Sequence, residues 1–142
     1  MHGWMTRWRL SAGVGLAGLT LLTAACGGTN NIAPPTGATP VPVTETFTDT
    51  IQQNGAFTYP FVAQASGTIQ AGLTAVSPDT TLGVSLGTWN GLTCQVVIAN
   101  DKAAVNTAVT GTATAIGNFC VRVYDVGSVT EPTEFTLSIL HP

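Results

Sequence analysis

The chain has 142 residues, of which 8% are charged and 44% hydrophobic, and its formal net charge is −3. This length predicts one folded domain. The mean hydropathy of +0.33 excludes a disordered polyanion, and an acidic balance with only four basic residues excludes nucleic acid as the expected partner.

The N-terminal residues carry the pattern of an export signal. Residues 1–9 contain two arginines and no acid, and residues 10–22 form an uncharged, mostly apolar stretch. This stretch is shorter than the roughly 20 residues that a membrane-spanning helix needs, but it suits the apolar region of a secretory signal. We therefore predict that the protein is exported.

The signal ends in the motif Leu22-Thr23-Ala24-Ala25-Cys26, which resembles the lipobox of bacterial lipoproteins. The resemblance implies cleavage of a signal peptide of residues 1–25, attachment of diacylglycerol to the Cys26 thiol, and acylation of the new N terminus by a fatty acid such as palmitate. Some lipoproteins are retained in the inner membrane by an Asp after the lipidated Cys, and here that position holds Gly27. In a two-membrane bacterium, the resemblance therefore implies that the protein is located in the outer membrane. The alternative is an ordinary secretory signal, in which Cys26 is incidental.

The next segment is a tether. Residues 26–43 carry no charge and contain Pro34, Pro35, Pro40 and Pro42. Proline disrupts both helices and strand ladders, so we predict a flexible, extended spacer between the lipidated Cys26 and the domain.

Residues 44–142 are predicted to form an all-β domain, because their short runs are rich in Thr, Val, Ala, Phe and Ile and alternate with a period of two. Turn residues separate these runs, including Asn90-Gly91 and Asn100-Asp101. Eight short strands at this spacing favour an antiparallel β-sandwich. The predicted strands cover residues 45–51, 56–63, 67–76, 81–86, 93–99, 108–115, 118–124 and 134–140. In the last two, alternation predicts that the core contains Phe119, Val121, Val123, Phe135, Leu137 and Ile139.

Three cysteines leave an even number once Cys26 is assigned to lipid. Export places Cys94 and Cys120 in an oxidising compartment, so we predict a disulfide between them. Their strands either neighbour each other in one sheet or face each other across the sandwich. A metal pair is the competing interpretation, but no His lies near enough in the sequence to complete a tetrahedral site.

The end of the chain resembles the bacterial pre-peptidase C-terminal domains. Their closing strands follow a Gly-x-Tyr-x-Val-x-Val pattern and a Tyr-x-Leu-x-Val pattern, and the same places here hold residues 117–124 and 135–139. The resemblance spans roughly residues 44–140 and implies a jelly-roll-like β-sandwich that acts as an accessory, binding or secretion-related module, sometimes with Ca²⁺. The Asp-rich middle strand of that family is replaced by TTLGVSL, so the family pattern itself implies no calcium ligands at that strand.

Residues suited to catalysis are sparse. His141 is the only His of the domain and lies next to the C terminus, where we expect fraying. No Ser-His-Asp arrangement can be argued from one such His. Carboxylate-pair hydrolysis would use two of the seven acids of the domain, and most of these fall in turns or at strand edges, where solvation is the default. These acids are Glu45, Asp49, Asp79, Asp101, Asp125, Glu131 and Glu134. We therefore expect a protein that is not an enzyme, with a small hydrolase as the remote alternative.

Two other sets of residues are candidates for binding. Asn100, Asp101 and Asp125 follow predicted strands and offer oxygen ligands for Ca²⁺, although Asn and Asp also simply form turns. Trp89 and Asn90 lie at a predicted turn, where an exposed indole could stack on a sugar ring. The competing interpretation of Trp89 is a plug at one end of the core.

The remaining basic residues are expected to be structural or solvated. Arg122 is predicted to pair with Asp125 or Glu134 across strands, and Lys102 to be a solvated charge.

Together these features predict a monomeric, lipid-anchored protein of the cell envelope that serves as a non-catalytic binding or structural module. Its expected partners are the membrane and either an envelope protein or a glycan, and carbohydrate binding through Trp89 is the first alternative.

Overall fold

The computed structural model describes residues 40–142, and these form one β domain. Its strands are β1 (Val43–Ile51), β2 (Ala56–Ala63), β3 (Gly67–Ser77), β4 (Leu82–Trp89), β5 (Cys94–Ala103), β6 (Ala108–Ala113), β7 (Gly117–Tyr124) and β8 (Thr133–His141). Within residues 40–142 there is no helix of the length and apolar character needed to cross a membrane. Cys26, the predicted cleavage site and most of the tether lie outside the described residues.

The eight strands form two antiparallel four-stranded sheets, in the orders β1-β8-β3-β6 and β2-β7-β4-β5. The antiparallel pairs β1–β8, β2–β7, β3–β6 and β4–β5 are those of one long β-hairpin in which the first half of the chain pairs with the second. This hairpin is folded so that its successive pairs alternate between the two sheets. A hairpin folded in this way has the topology of a jelly roll. The predicted all-β, antiparallel sandwich is therefore confirmed.

The core lies between the two sheets and is built from the inward-facing half of each strand. Val121, Val123, Phe135, Leu137 and Ile139 are completely buried, as their alternation predicts. Phe119 is only partly buried and packs against the edge of this cluster. Because the outward positions are largely Thr, the sheets stay hydrated with few charges.

The long hairpin of β4 and β5 differs most from the sequence prediction. Asn100-Asp101 was expected to be a turn, but both residues belong to β5, and the chain turns at Asn106 with φ of 67°. The β4–β5 register shifts between Leu82 and Val84, so β5 contains a bulge opposite this part of β4. An edge strand tolerates such a bulge, and therefore Asn and Asp need not end it.

The expectation that the C terminus frays is wrong. His141 ends β8 opposite Val43, is only 4% exposed, and packs its ring 4.8 Å from that of Phe61. Its Nε2 lies 3.1 Å from a Glu45 carboxylate oxygen. The Pro142 carbonyl accepts a hydrogen bond from the backbone N–H of Gln64 at 2.8 Å. These contacts hold the last residues because they satisfy polar groups that would otherwise favour water.

Candidate functional site

The predicted disulfide between Cys94 and Cys120 is confirmed, with 5.8 Å between the two Cα atoms. Neither predicted arrangement of the strands is correct. Cys94 begins β5 and Cys120 lies in β7, and these strands belong to one sheet but are separated by β4. The disulfide therefore spans an intervening strand instead of joining neighbours or the two layers.

A glycine allows this crossing. Gly87 pairs with Val96 of β5 on one side and with Cys120 of β7 on the other. A Cβ atom at Gly87 would collide with the backbone of Gln95 and Val96, because β5 passes close to β4 at this bulge. Only glycine leaves room for so close a backbone approach. The end of the β4–β5 hairpin is thereby free to fold toward Cys120.

Cys120 lies on the outer side of its sheet and is nevertheless completely buried. It alternates along β7 with Val121, which faces the core, so its side chain points away from the core. The disulfide thus ties the end of the hairpin against the outer face of the sheet. It places the residues of the hairpin turn beside residues of β2 and β7.

Asn90 organises the turn of this hairpin. Its Oδ1 accepts hydrogen bonds from the backbone N–H groups of Leu92 and Thr93 at 2.9 and 2.8 Å, and its Nδ2 lies 3.1 Å from Thr93 Oγ1. Gly91 adopts φ of +94°, which favours glycine. The side chain of Asn90, predicted as a ligand contact, is therefore occupied by the turn.

An open groove of about 340 Å³ lies between the hairpin end and the outer face of the sheet. Its lining residues are Thr58, Trp89, Leu92, Thr93, Cys94 and Arg122. Trp89 is partly exposed and does not belong to the core cluster, so it does not plug the core. The groove combines an indole, a guanidinium group and two hydroxyl groups, which suits a polar ligand with one flat apolar surface.

Arg122 does not form the predicted ion pair with Asp125 or Glu134. The single salt bridge found within residues 40–142 joins His141 to Glu45. The guanidinium carbon of Arg122 instead lies 5.5 Å from the ring centroid of Tyr124, in a cation–π contact. The prediction failed because Arg122 and Tyr124 project from the same side of β7, two residues apart, whereas Asp125 is turned into the following loop.

Tyr124 connects Arg122 to β5. Its hydroxyl donates a hydrogen bond to Asp101, and its ring covers Gly83 of β4. Burial, followed by the hydrogen bond and the charge of Asp101, raises the pKa of Tyr124 to about 12. The phenol therefore remains a neutral donor at neutral pH, and Asp101 is its acceptor.

The predicted calcium ligands have other partners in the structure. Both carboxylate oxygens of Asp125 accept backbone N–H groups, one from Asn54 and the other from residues 127–129. The Asn100 side chain accepts the Lys102 N–H at 3.0 Å. Within residues 40–142, no three His, Cys, Asp or Glu side chains form a metal-binding group. Calcium binding at Asn100, Asp101 and Asp125 stays a prediction.

The sequence analysis did not assign four lining residues to the groove, namely Thr58, Leu92, Thr93 and Arg122. Thr58 and Arg122 face each other across the β2–β7 ladder, although they are far apart in the chain. No local signal in the sequence links either residue to Trp89. The strand register brings the first two together, and the disulfide adds the third.

Comparisons with known proteins assign no family. No family model matches the chain, and no curated protein matches it. A chain from a structure described as "Bacillus endospore appendages form a novel family of disulfide-linked pili" is similar to it, with 14% identity and a TM-score of 0.39. The similarity covers 71% of this chain and 86% of that chain. A likeness at this level assigns no function, and the resemblance to pre-peptidase C-terminal domains stays a prediction.

Proposed function

We propose that this protein is a cell-envelope lipoprotein whose jelly-roll domain is a non-catalytic module that binds a glycan in the groove beside Trp89. One observation carries the proposal: a partly exposed Trp89 faces the same open groove as Arg122 and two Thr hydroxyls. Aromatic rings stack on the apolar face of a sugar, and neighbouring polar groups bind its hydroxyls.

The disulfide supports the envelope location. The bond between Cys94 and Cys120 forms and persists in oxidising compartments, and the sequence begins with an export-signal pattern that ends at Cys26. One acyl chain gives only marginal membrane binding, whereas the two or more chains implied by the lipobox resemblance hold a protein stably. The proline-rich tether then displays the domain away from the lipid surface.

A non-catalytic role is supported by the partners of the titratable side chains. His141 packs its ring against Phe61, and its Nε2 lies 3.1 Å from a carboxylate oxygen of Glu45 at the end of β8. Asp49, Asp101 and Asp125 each accept structural hydrogen bonds. In these contacts the groups stabilise the fold instead of activating a nucleophile.

A glycan array tests the proposed binding. The full-length protein is compared with Trp89→Ala and with Trp89→Phe, which keeps an aromatic ring. We expect saccharide signals that Trp89→Ala abolishes and Trp89→Phe retains in part. A wild-type protein that binds no saccharide, or signals that Trp89→Ala leaves unchanged, would contradict glycan binding at this groove.

Mass spectrometry of the membrane fraction tests the anchor separately. The wild-type protein is expected to begin at Cys26 and to carry the added mass of diacylglycerol and an acyl group. The Cys26→Ser variant is expected to lack this mass and to leave the membrane fraction. Mature species that differ only by the substitution would refute lipidation.

A further inference from the structure

The groove beside Trp89 contains one charged group. Arg122 lines it, and none of the other lining residues is an acid or a base. Within the described part of the chain, no carboxylate lies within salt-bridge distance of Arg122. The side chain is exposed, so its charge is presented to the solvent and to any bound ligand.

The guanidinium group is held in place without being neutralised. Its carbon lies 5.5 Å from the centroid of the Tyr124 ring, and the Tyr124 hydroxyl donates a hydrogen bond to Asp101. A cation–π contact is not a hydrogen bond, so the N–H donors of the guanidinium group stay available to a ligand. These donors match the two oxygens of a planar carboxylate.

From these contacts we infer that the ligand of the groove is a saccharide that carries a carboxylate, as a uronic acid does. The inference rests on the proposed glycan binding and adds to it the chemical class of the sugar. The ring of the sugar stacks on Trp89, and its carboxylate accepts hydrogen bonds from Arg122. The Thr58 hydroxyl is a further partner for the polar groups of the ring, and the Thr93 hydroxyl, which accepts a hydrogen bond from Asn90, can still donate its own proton.

Binding of the carboxylate must depend on a direct contact with Arg122, since the net charge of the domain does not attract anions over a longer distance. Residues 26–142 contain Lys102 and Arg122 against seven acids, which gives this part of the chain a net charge of −5. A net charge of that sign repels polyanions in general. Selective binding of an acidic sugar would therefore depend on Arg122 itself.

The test compares two oligosaccharides that differ only in whether their carboxyl groups are ionised or methyl-esterified. Calorimetric titrations use the full-length oxidised protein in a detergent without a sugar headgroup, with a galacturonic acid oligomer and with its fully methyl-esterified form. We expect the acid to bind at least about tenfold more tightly than the ester, as one charge-assisted hydrogen bond would give. Arg122→Gln is expected to remove this tenfold preference, so that the variant binds the acid and the ester with similar affinity.

Lys102→Gln is the matched control. It removes the same unit charge from a residue that does not line the groove, so we expect the affinity for both oligomers to stay within about twofold of wild type, since surface charges away from a site are screened. Equal unfolding temperatures of the two variants would show that both are folded. An equal loss of affinity in the two variants would overturn the role of Arg122.

The remaining outcomes separate the two proposals. Equal affinity for acid and ester, lost in Trp89→Ala, would overturn the carboxylate inference and support glycan binding. Binding of neither oligomer would overturn the inference, while the glycan array decides the proposed function. Binding of an oligoglutamate of equal charge as tightly as the galacturonic acid oligomer would overturn the assignment of a saccharide, because charge alone would then be recognised.

Discussion

The Tyr59 hydroxyl of β2 donates a hydrogen bond to Asp49 of β1, with 2.7 Å between Oη and Oδ2. These strands are edge strands of different sheets, so the bond joins the two layers of the sandwich. Tyr59 also packs its ring 4.6 Å from that of Phe47, which lies in β1. One side chain thus connects the layers through both a polar and an aromatic contact.

Removing the Tyr59 hydroxyl should weaken the connection between the sheets. We expect Tyr59→Phe to lower the free energy of unfolding by about 1–2 kcal/mol, because it removes a hydrogen bond to a carboxylate but keeps the ring. Urea unfolding measures the change. Thr48→Val is the control, since it removes an exposed hydroxyl contact with Thr136 within one sheet, and it should cost less than about 0.5 kcal/mol. Equal effects of the two variants would contradict the special role of Tyr59.

The two tyrosines of the chain are expected to ionise late. Burial, then the hydrogen bond and charge of Asp49, raises the pKa of Tyr59, and the pKa of Tyr124 is raised to about 12. Since both values exceed the unfolded value of about 10, the protonated phenols stabilise the fold below pH 10. This stability is lost as the pH rises through the folded pKa values.

Absorbance of tyrosinate against pH checks this expectation. The folded protein should show little tyrosinate at pH 10, whereas the protein in concentrated urea should titrate near pH 10. Unfolding temperatures should fall above pH 10. Half of the tyrosinate signal appearing near pH 10, with unchanged near-ultraviolet circular dichroism, would mean that one tyrosine is not protected.

Asp125 is expected to make the stability of its loop dependent on acid pH. Hydrogen bonds from the backbone N–H groups of Asn54 and Val129, with others from Gly127 and Ser128, lower the pKa of Asp125 below its usual value. Because the folded pKa is lower than the unfolded one, the stabilisation is present above the unfolded pKa and is lost as the pH falls through the folded pKa.

Thermal unfolding between pH 2 and pH 6 measures this contribution. We expect Asp125→Ala to lower the unfolding temperature at pH 6, and to have a smaller effect as the pH is lowered and the wild-type carboxylate takes up a proton. Asp125→Asn keeps one acceptor oxygen, so its unfolding temperature at pH 6 should lie between those of wild type and Asp125→Ala. Parallel curves for wild type and Asp125→Ala across this range would argue against the carboxylate as the stabilising group.

Gly87 should not tolerate a side chain. The added Cβ of Gly87→Ala would meet the backbone of Gln95 and Val96, which cannot rotate away. We expect a loss of about 2–3 kcal/mol in the free energy of unfolding. At Gly117, the added Cβ would make ordinary contacts of 3.4 Å or more with Phe119 and its surroundings. Gly117→Ala should therefore stay within about 0.5 kcal/mol of wild type, and a similar loss in both variants would count against the close crossing at Gly87.

The disulfide should stabilise both the domain and the groove. Replacing both Cys94 and Cys120 by Ala removes a link between residues 26 positions apart, which costs about 3 kcal/mol in the chain-entropy model. Because the hairpin end is then released from the sheet, Trp89 should become more exposed and its fluorescence should shift to longer wavelength. Wild-type protein with reductant should behave like the double variant. Unchanged fluorescence in both would indicate that the groove forms without the disulfide.

The strands could be predicted from the amino-acid sequence, since period-two alternation and turn residues are local signals. Alternation identified Val121 and Leu137 as core residues, and both are completely buried. Local signals failed where a tertiary partner decided the outcome. Asn100-Asp101 has the composition of a turn, yet β4 pairs with both sides of a bulge there, and Tyr124 binds Asp101. The same limit applies to His141, which Glu45 and Phe61 hold in place.

The sequence also predicted which cysteines pair, since export and an even count leave few choices. It could not predict that their strands are separated by β4, because strand order depends on contacts between distant parts of the chain. Nor could it bring Thr58, Trp89 and Arg122 to one groove. Composition and periodicity reflect neighbours along the chain, whereas strand register and the disulfide join distant segments, so this groove could not be predicted from the sequence.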